Sequence, residues 1–198
     1  MMDTKRIEAL ADGVFAIAMT LLVIEIHVPE IPTASSLVAA LLHLAPNVIA
    51  YAVSFIILGT LWIGHHAQFH FIKRVDRPLL WINIHFLLFI AFLPFATALL
   101  AEHYREPLAA TVYGATLLGA GVFLYGHWWY ATTGRRLVDP SLQEPVVRTV
   151  KLRILGGHAV YASAVLLSWL NPYLGLALFA AMPLIYMIPG HVDRHMRA

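Results

Sequence analysis

Six long apolar segments follow one another along the chain, and short polar stretches separate them. They cover residues 6–28, 46–71, 78–101, 108–132, 147–169 and 172–190. A helix needs about 20 mostly apolar residues to cross a bilayer. The pattern therefore predicts an all-α fold, a polytopic membrane protein with six transmembrane helices per subunit, and a single domain over residues 1–198.

Prolines support these boundaries because one lies near the start of every segment except the first. A proline costs little there, since the first N–H groups of a helix have no partner within the helix. The polar stretch 30–45 is too short to cross a bilayer, and we expect a short surface helix over 35–44. The five prolines are Pro46, Pro78, Pro107, Pro145 and Pro172.

Composition agrees with a membrane location. Hydrophobic residues make up 60% of the chain and charged residues 12%, against about 25% charged in soluble domains. The mean hydropathy is +0.75. The chain has no cysteine, which excludes disulfides and thiolate chemistry. Its net charge of +2 is spread out, so we expect no binding of nucleic acid.

The basic residues predict an orientation. With six alternating spans, every lysine and arginine except Arg105 falls on one side, and that side is normally cytoplasmic. Both termini should then be cytoplasmic. Because one 22.0 kDa unit is too small to enclose a wide aqueous path, any pore should form by oligomerisation around a symmetry axis.

The first segment carries an apolar stripe between ionisable residues. At 100° per residue, Thr20 lies at the edge of this stripe, while Asp12 and Glu8 lie on the opposite face. The stripe is open to two interpretations, an ordinary packing or lipid-facing surface and a hydrophobic constriction that gates by dewetting. Its members are Leu10, Gly13, Ile17, Leu21, Ile24 and Val28.

Asp12 needs partners, because an unpaired carboxylate in a bilayer costs at least a few kcal/mol. Arg6 is near in sequence but turned about 120° away on the helix. Donors from other helices are therefore expected, and Asp12 is either a structural anchor or a group coupled to gating or proton sensing. The candidate donors are Trp62, His65, His66 and Asn83.

The first helix resembles that of a known family. The run Arg6-x-x-x-Leu10-Ala11-Asp12 is similar to the signature Arg-x-x-x-Phe-Ser-Asp of the transmembrane protein 175 potassium channels, with Leu10 and Ala11 departing from it. Motifs of the family's second and third helices extend the resemblance over about residues 5–100. These further matches are Ala16-Ile17, Thr20-Leu21-Leu22, Ser54-Phe55, Trp62, His65-His66, Phe69, Asp76 and Asn83.

The resemblance implies a potassium-permeable channel of the prokaryotic single-repeat type, a homotetramer in the plasma membrane with four first helices around the axis. It implies that Ile17, Leu21 and Ile24 form the constriction in place of a carbonyl selectivity filter, with Thr20 beside it. Glu25 would lie near the outer mouth, as a cation-concentrating group or as a surface carboxylate. The signature residues would form a structural network: Arg6, Asp12, Trp62, His65, His66 and Asn83.

The alternative function is a proton-coupled secondary transporter that uses Asp12 and His65/His66. We expect no enzyme, because no convergent set of nucleophile, base and metal ligands stands out. His66 and His70 lie one turn apart, a spacing compatible with zinc. Only Asp76 could complete such a site, so no metal and no cofactor are expected.

Overall fold

The computed structural model describes residues 4–28 and 36–187, with the backbone alone for 185–187. These residues form seven α-helices and a short 3-10 turn, Thr133–Arg135. The short helix predicted over 35–44 is present as α2. In chain order the helices are α1 Lys5–Ile24, α2 Leu37–His43, α3 Ala45–Phe71, α4 Arg77–Glu102, α5 Pro107–Thr132, α6 Glu144–Ser168 and α7 Pro172–Met187.

Helix starts follow local chemistry. Proline occupies the first or second position of the five helices from α3 to α7. Three starts also carry side-chain caps, which satisfy backbone N–H groups that have no partner within the helix. Asn171 Oδ1 accepts from the N–H of Tyr173 at 2.9 Å in α7. Ser36 Oγ accepts from the N–H of Ala39 at 3.2 Å in α2. Asp76 Oδ1 accepts from the N–H of Leu79 at 3.1 Å in α4.

The long helices pack around a central apolar core. α1 contacts α3 and α4, while α5 lies between α4 and α6, and α7 closes the bundle against α6 and α3. The largest buried side chains of this core come from five different helices, so the bundle is one packed body. They are Phe15, Ile57, Phe86, Tyr113 and Phe179.

A second apolar cluster closes one end of the bundle. It joins the loop between α3 and α4 to the loop between α5 and α6, and it includes Ile72 and Trp128. Backbone bonds link the same loops, since Lys73 N donates to Leu137 O at 2.9 Å and Asp139 N donates to Phe71 O at 2.8 Å. We call this the basic end, because Lys73, Arg74, Arg77, Arg135 and Arg136 surround it.

Five of the described helices, α1, α3, α4, α5 and α6, are long and apolar enough to cross a membrane. α7 has 16 residues and is about 24 Å long at 1.5 Å per residue, less than the roughly 30 Å of a hydrocarbon core. The segment predicted for the sixth span extends to residue 190, and its last three residues lie outside the described ranges. The prediction of an all-helical membrane protein is confirmed, and the structure accounts for five of the six predicted spans.

Candidate pore-lining helix and its polar contacts

α1 has one buried face and one uncovered face. The buried residues recur every three or four positions and pack against α3 and α4. Small and large side chains alternate on this face, so the neighbouring helices approach α1 closely at the alanines and surround the larger groups. These residues are Ile7, Ala11, Phe15, Ala18 and Leu22.

The apolar stripe predicted from the helical wheel lies on the uncovered face. Ile17 is 61% exposed, Leu21 39% and Ile24 65%. Leu10 and Gly13 are also exposed in the single chain. The prediction that the helix and its stripe reach Val28 is wrong, because α1 ends at Ile24 and Val28 lies four residues beyond it. Apolar side chains exposed in a continuous row along a membrane helix need a cover of lipid or protein.

Thr20 lies beside this stripe and is exposed. Its hydroxyl contacts the carbonyl oxygens of Ala16 at 3.0 Å and Ile17 at 2.9 Å. Because the hydroxyl hydrogen points to the backbone of its own helix, the lone pairs of the oxygen can face outward. Glu25 follows the last residue of α1 and is exposed as well.

Asp12 is held by the second long helix. The indole Nε1 of Trp62 donates to Asp12 Oδ1 at 2.8 Å, and the ring of His66 stacks on the Trp62 ring with centroids 5.5 Å apart. Within the described residues no ion pair or hydrogen bond joins Arg6 to Asp12. The carboxylate therefore links α1 to α3, and Arg6 is exposed near the start of α1.

His65 and Asn83 lie deeper in the bundle, where both are buried. His65 Nε2 donates to Asn83 Oδ1 at 2.8 Å and thereby joins α3 to α4. The His65 ring stacks on Phe86 with centroids 5.3 Å apart and contacts Phe15 of α1 at 6.4 Å. The signature residues thus separate into a surface pair, Asp12 and Trp62, and a buried pair, His65 and Asn83.

His70 lies apart from these residues near the end of α3, where its ring contacts that of Phe71 edge to face at 5.0 Å. In the part of the chain that the structure describes, no group of three or more His, Asp or Glu side chains converges as metal ligands require.

The comparisons with known proteins agree with this architecture. A family model described as "Endosomal/lysosomal potassium channel TMEM175" matches residues 6–94, from Arg6 of the signature into α4. A potassium channel of Streptomyces collinus is 36% identical over 190 residues, which cover 94% of this chain and 92% of the relative. The chain belongs to the TMEM175 family.

A solved member of the TMEM175 family has the same fold. The crystal structure of a lysosomal potassium-selective channel TMEM175 homolog from Chamaesiphon minutus superposes with a TM-score of 0.84 and 33% identity, covering 93% of this chain and 96% of that chain. The human endosomal/lysosomal proton channel TMEM175 is 31% identical over 186 residues, which cover 84% of this chain but 37% of the human protein. The chain thus spans about a third of that longer relative.

TMEM175 membership confirms the resemblance inferred from the first-helix signature. The family is one of membrane ion channels and not of enzymes. The departures at Leu10 and Ala11 fit their surroundings in this chain, because Leu10 is exposed within the apolar stripe and Ala11 is fully buried against the neighbouring helices.

Two polar clusters of this TMEM175 protein were not predicted from the sequence, although Ser54 is one of the family motif residues. His127 Nδ1 donates to Gln68 Oε1 at 2.8 Å, and Gln68 Nε2 donates to Leu124 O at 3.1 Å. Ser54 Oγ lies 2.8 Å from the Tyr113 hydroxyl and accepts from Thr97 at 2.9 Å. Both clusters tie α3 to the later helices. A polar residue inside a long apolar run is the signal that could have marked them.

Proposed function

We propose that this protein is a potassium-permeable cation channel whose pore is lined by α1 from four identical subunits. The observation that carries the proposal is the uncovered apolar stripe of α1 in a chain of a channel family. A relative covering nearly its whole length is named a potassium channel, and the similar solved structure is titled a potassium-selective channel.

In this proposal Ile17, Leu21 and Ile24 of four subunits form a hydrophobic constriction. A closed ring of such side chains excludes water and blocks ions by dewetting. An apolar ring cannot replace the hydration shell of an ion, so an open pore selects by its width and by partial dehydration. Thr20 adds an outward-facing oxygen beside the ring, and we expect a modest preference for potassium over sodium.

The signature residues hold α1 at the required rotation. Asp12 and Trp62 fasten α1 to α3, and His65 with Asn83 fastens α3 to α4. Arg6 and His66 complete this group at the basic end, where His66 stacks on Trp62. A rotation of α1 by one residue would turn the stripe by 100°, so these bonds fix which side chains face the axis.

The proposed topology has six spans per subunit, with α7 as the sixth, within one domain over residues 1–198. The basic end faces the cytoplasm, because lysine and arginine concentrate there. Both termini are then cytoplasmic, and a single-repeat chain of this kind fits the plasma membrane of a prokaryote. Glu25 lies at the opposite, outer mouth, where its charge raises the local cation concentration.

Flux through purified protein in liposomes tests the function. With imposed potassium or sodium gradients and a pH-sensitive dye inside, we expect passive cation flux that follows the electrochemical gradient, together with single-channel currents. The alternative, a proton-coupled transporter that uses Asp12 and His65/His66, predicts saturable flux coupled stoichiometrically to protons. Coupled flux without single-channel currents would overturn the channel proposal.

A further inference from the structure

The contact between α3 and α5 contains a buried histidine that the proposed pore does not use. His127 lies near the end of α5, and its Nδ1 donates to Gln68 Oε1 of α3 at 2.8 Å. The orientation of the Gln68 amide is fixed, because its Nε2 donates at 3.1 Å to the carbonyl oxygen of Leu124, which only accepts. These bonds assign a hydrogen to Nδ1, so Nε2 of the neutral ring is a bare acceptor.

This second nitrogen of His127 is buried, and no group of the described residues forms a hydrogen bond with it. Its surroundings are aromatic. The ring centroid of Phe69 lies 5.0 Å from that of His127, and the ring of His65 stacks at 5.7 Å. A cation is costly in such a place unless an anion or several polar groups compensate it. The packed contact therefore holds the neutral form of the imidazole.

The titratable group that faces His127 is another imidazole. His65 of α3 interacts electrostatically with the ring, and its own partner on α4 is the neutral Asn83. Asp12 of α1 and His66 of α3 interact with His65 in turn. Among the described residues of α3, α4 and α6, no carboxylate adds to the electrostatic environment of His127. A proton on His127 would thus have no anion to neutralise it.

The partner of His127 belongs to a series of three side chains that hold α3 within the bundle. Trp62 bonds to Asp12 of α1, His65 bonds to α4, and Gln68 bonds to His127 of α5. The three side chains are spaced by three residues, so less than two helical turns of α3 carry all three bonds. A separation of α3 from α5 at Gln68 would disturb the same stretch that fastens α1.

We propose that His127 is a pH-sensitive positioning residue for α3. The neutral ring holds Gln68. Uptake of a proton at Nε2 introduces an uncompensated charge, so α3 separates from α5 at this point and water hydrates the imidazolium. The separation loosens the hold of α3 on α1, and fewer channels then keep the apolar stripe toward the axis. Only this last step rests on the proposed channel function.

The pH range follows from the chemistry of imidazole, which ordinarily gains its proton near pH 6.5. Because the packed contact holds the neutral ring and the separated contact admits the proton, the contact is at full strength above about pH 6.5 and weakens below it. For one proton taken up on separation, the equilibrium constant for separation rises about 30-fold from pH 7.5 to pH 5.0.

Hydrogen exchange of the backbone amides of α3 and α5, corrected for the intrinsic effect of pH, measures this constant in the purified protein. His127→Asn keeps an N–H donor near the position of Nδ1 and cannot titrate. From pH 7.5 to pH 5.0 the constant should rise about 30-fold more in the parent than in His127→Asn. The matched control is His85→Asn, since His85 is exposed on α4 and bonds to the carbonyl oxygen of Trp81 at 2.7 Å. This control should keep the rise of the parent, and an equal rise in the parent and His127→Asn would overturn the proposal.

Two further variants keep the test decisive if His127→Asn does not fold. Gln68→Glu places a carboxylate beside Nδ1 that compensates the imidazolium, so the acid-induced rise should disappear. His65→Gln keeps a donor for Asn83 and removes the neighbouring titration, so most of the rise should remain. An undiminished rise in Gln68→Glu, or a rise that disappears in His65→Gln, would contradict the assignment to His127.

Potassium flux into liposomes with the same pH on both sides tests the consequence for conduction. We expect the flux of the parent to fall severalfold from pH 7.5 to pH 5.0 and that of His127→Asn to change less. A pH-independent separation constant in a protein that conducts potassium would overturn the positioning role alone. Absence of flux at both pH values, together with the expected change in hydrogen exchange, would overturn the channel function and leave the pH-sensitive contact established.

Discussion

The two faces of α1 have the same kind of chemistry and opposite surroundings. Phe15 and Leu22 on one face are almost fully buried, whereas Ile17 and Ile24 on the other are more than half exposed. Hydrophobicity alone does not distinguish them. The difference shows that the uncovered face is not covered within the subunit and needs lipid or protein from outside the single chain.

The size pattern explains which face packs within the subunit. Ala11 and Ala18 are fully or almost fully buried, and they let α3 and α4 approach the helix backbone around Phe15. On the uncovered face, Ile17, Leu21 and Ile24 are all bulky and recur every three or four residues. We interpret the first face as the subunit's own core and the second as the pore side.

The largest expected effect is on folding. Phe15→Ala should lower the free energy of unfolding by about 3 kcal/mol, because it leaves a cavity among Phe86, His65 and the helix backbones. Ile17→Ala should leave the packing within each subunit intact. Thermal unfolding followed by helical circular dichroism in detergent measures both, and equal losses would remove the distinction between the faces.

Cation conduction should change in variants of the exposed stripe, which leave folding intact. Leu21→Ala and Ile17→Ala widen and wet the proposed constriction, so cation flux into liposomes should rise severalfold and the preference for potassium should fall. Ala18→Val on the buried face is the control for a change in side-chain size. It should lower the free energy of unfolding without widening the pore. Parental flux and selectivity in both stripe variants would show that α1 does not line the constriction.

The hydrogen bond between Asp12 and Trp62 should contribute less to the free energy of unfolding than the packing of Phe15 does. A double-mutant cycle of Asp12→Asn and Trp62→Phe should give a coupling of about 1 kcal/mol in stability, because the hydrogen bond is charge-assisted but partly exposed. Arg6→Ala should also impair assembly more than selectivity. Well-assembled tetramers with a changed ion preference would contradict this structural role.

The smallest effect should come from the outer mouth. Glu25→Gln should reduce single-channel potassium current less than twofold, and only at low ionic strength, because salt of about 1 M reduces the Debye length to about 3 Å. A reduction that persists at high salt would indicate that the carboxylate contacts the permeating ion directly. Glu102→Gln, at an exposed position at the end of α4, serves as the control.

The sequence predicted the helices well because two strong local signals coincide. Apolar runs of about 20 residues define α1 and α3 to α6, and prolines mark where helices begin. The boundaries agree within about four residues in these elements. The link between Ile72 and Val138 was not predictable, because backbone groups make its hydrogen bonds and leave no side-chain signature.

Some polar contacts between helices were predictable from the sequence and others were not. Four residues were named as candidate donors to Asp12, and among the described residues Trp62 is the one that donates a hydrogen bond to it. His65 bonds to Asn83 instead, and His66 stacks on Trp62. The pairing of Gln68 with His127 joins residues 59 positions apart. No local pattern specifies such a pair, because it depends on how α3 and α5 pack.

Cysteine accessibility tests the central claim most directly, because the chain contains no cysteine of its own. Single variants Leu21→Cys and Leu22→Cys place adjacent thiols on the two faces of α1. If α1 lines the pore, cadmium should block the potassium current of Leu21→Cys channels and leave Leu22→Cys channels unaffected. Block of Leu22→Cys, or cadmium-resistant current through Leu21→Cys, would contradict the account.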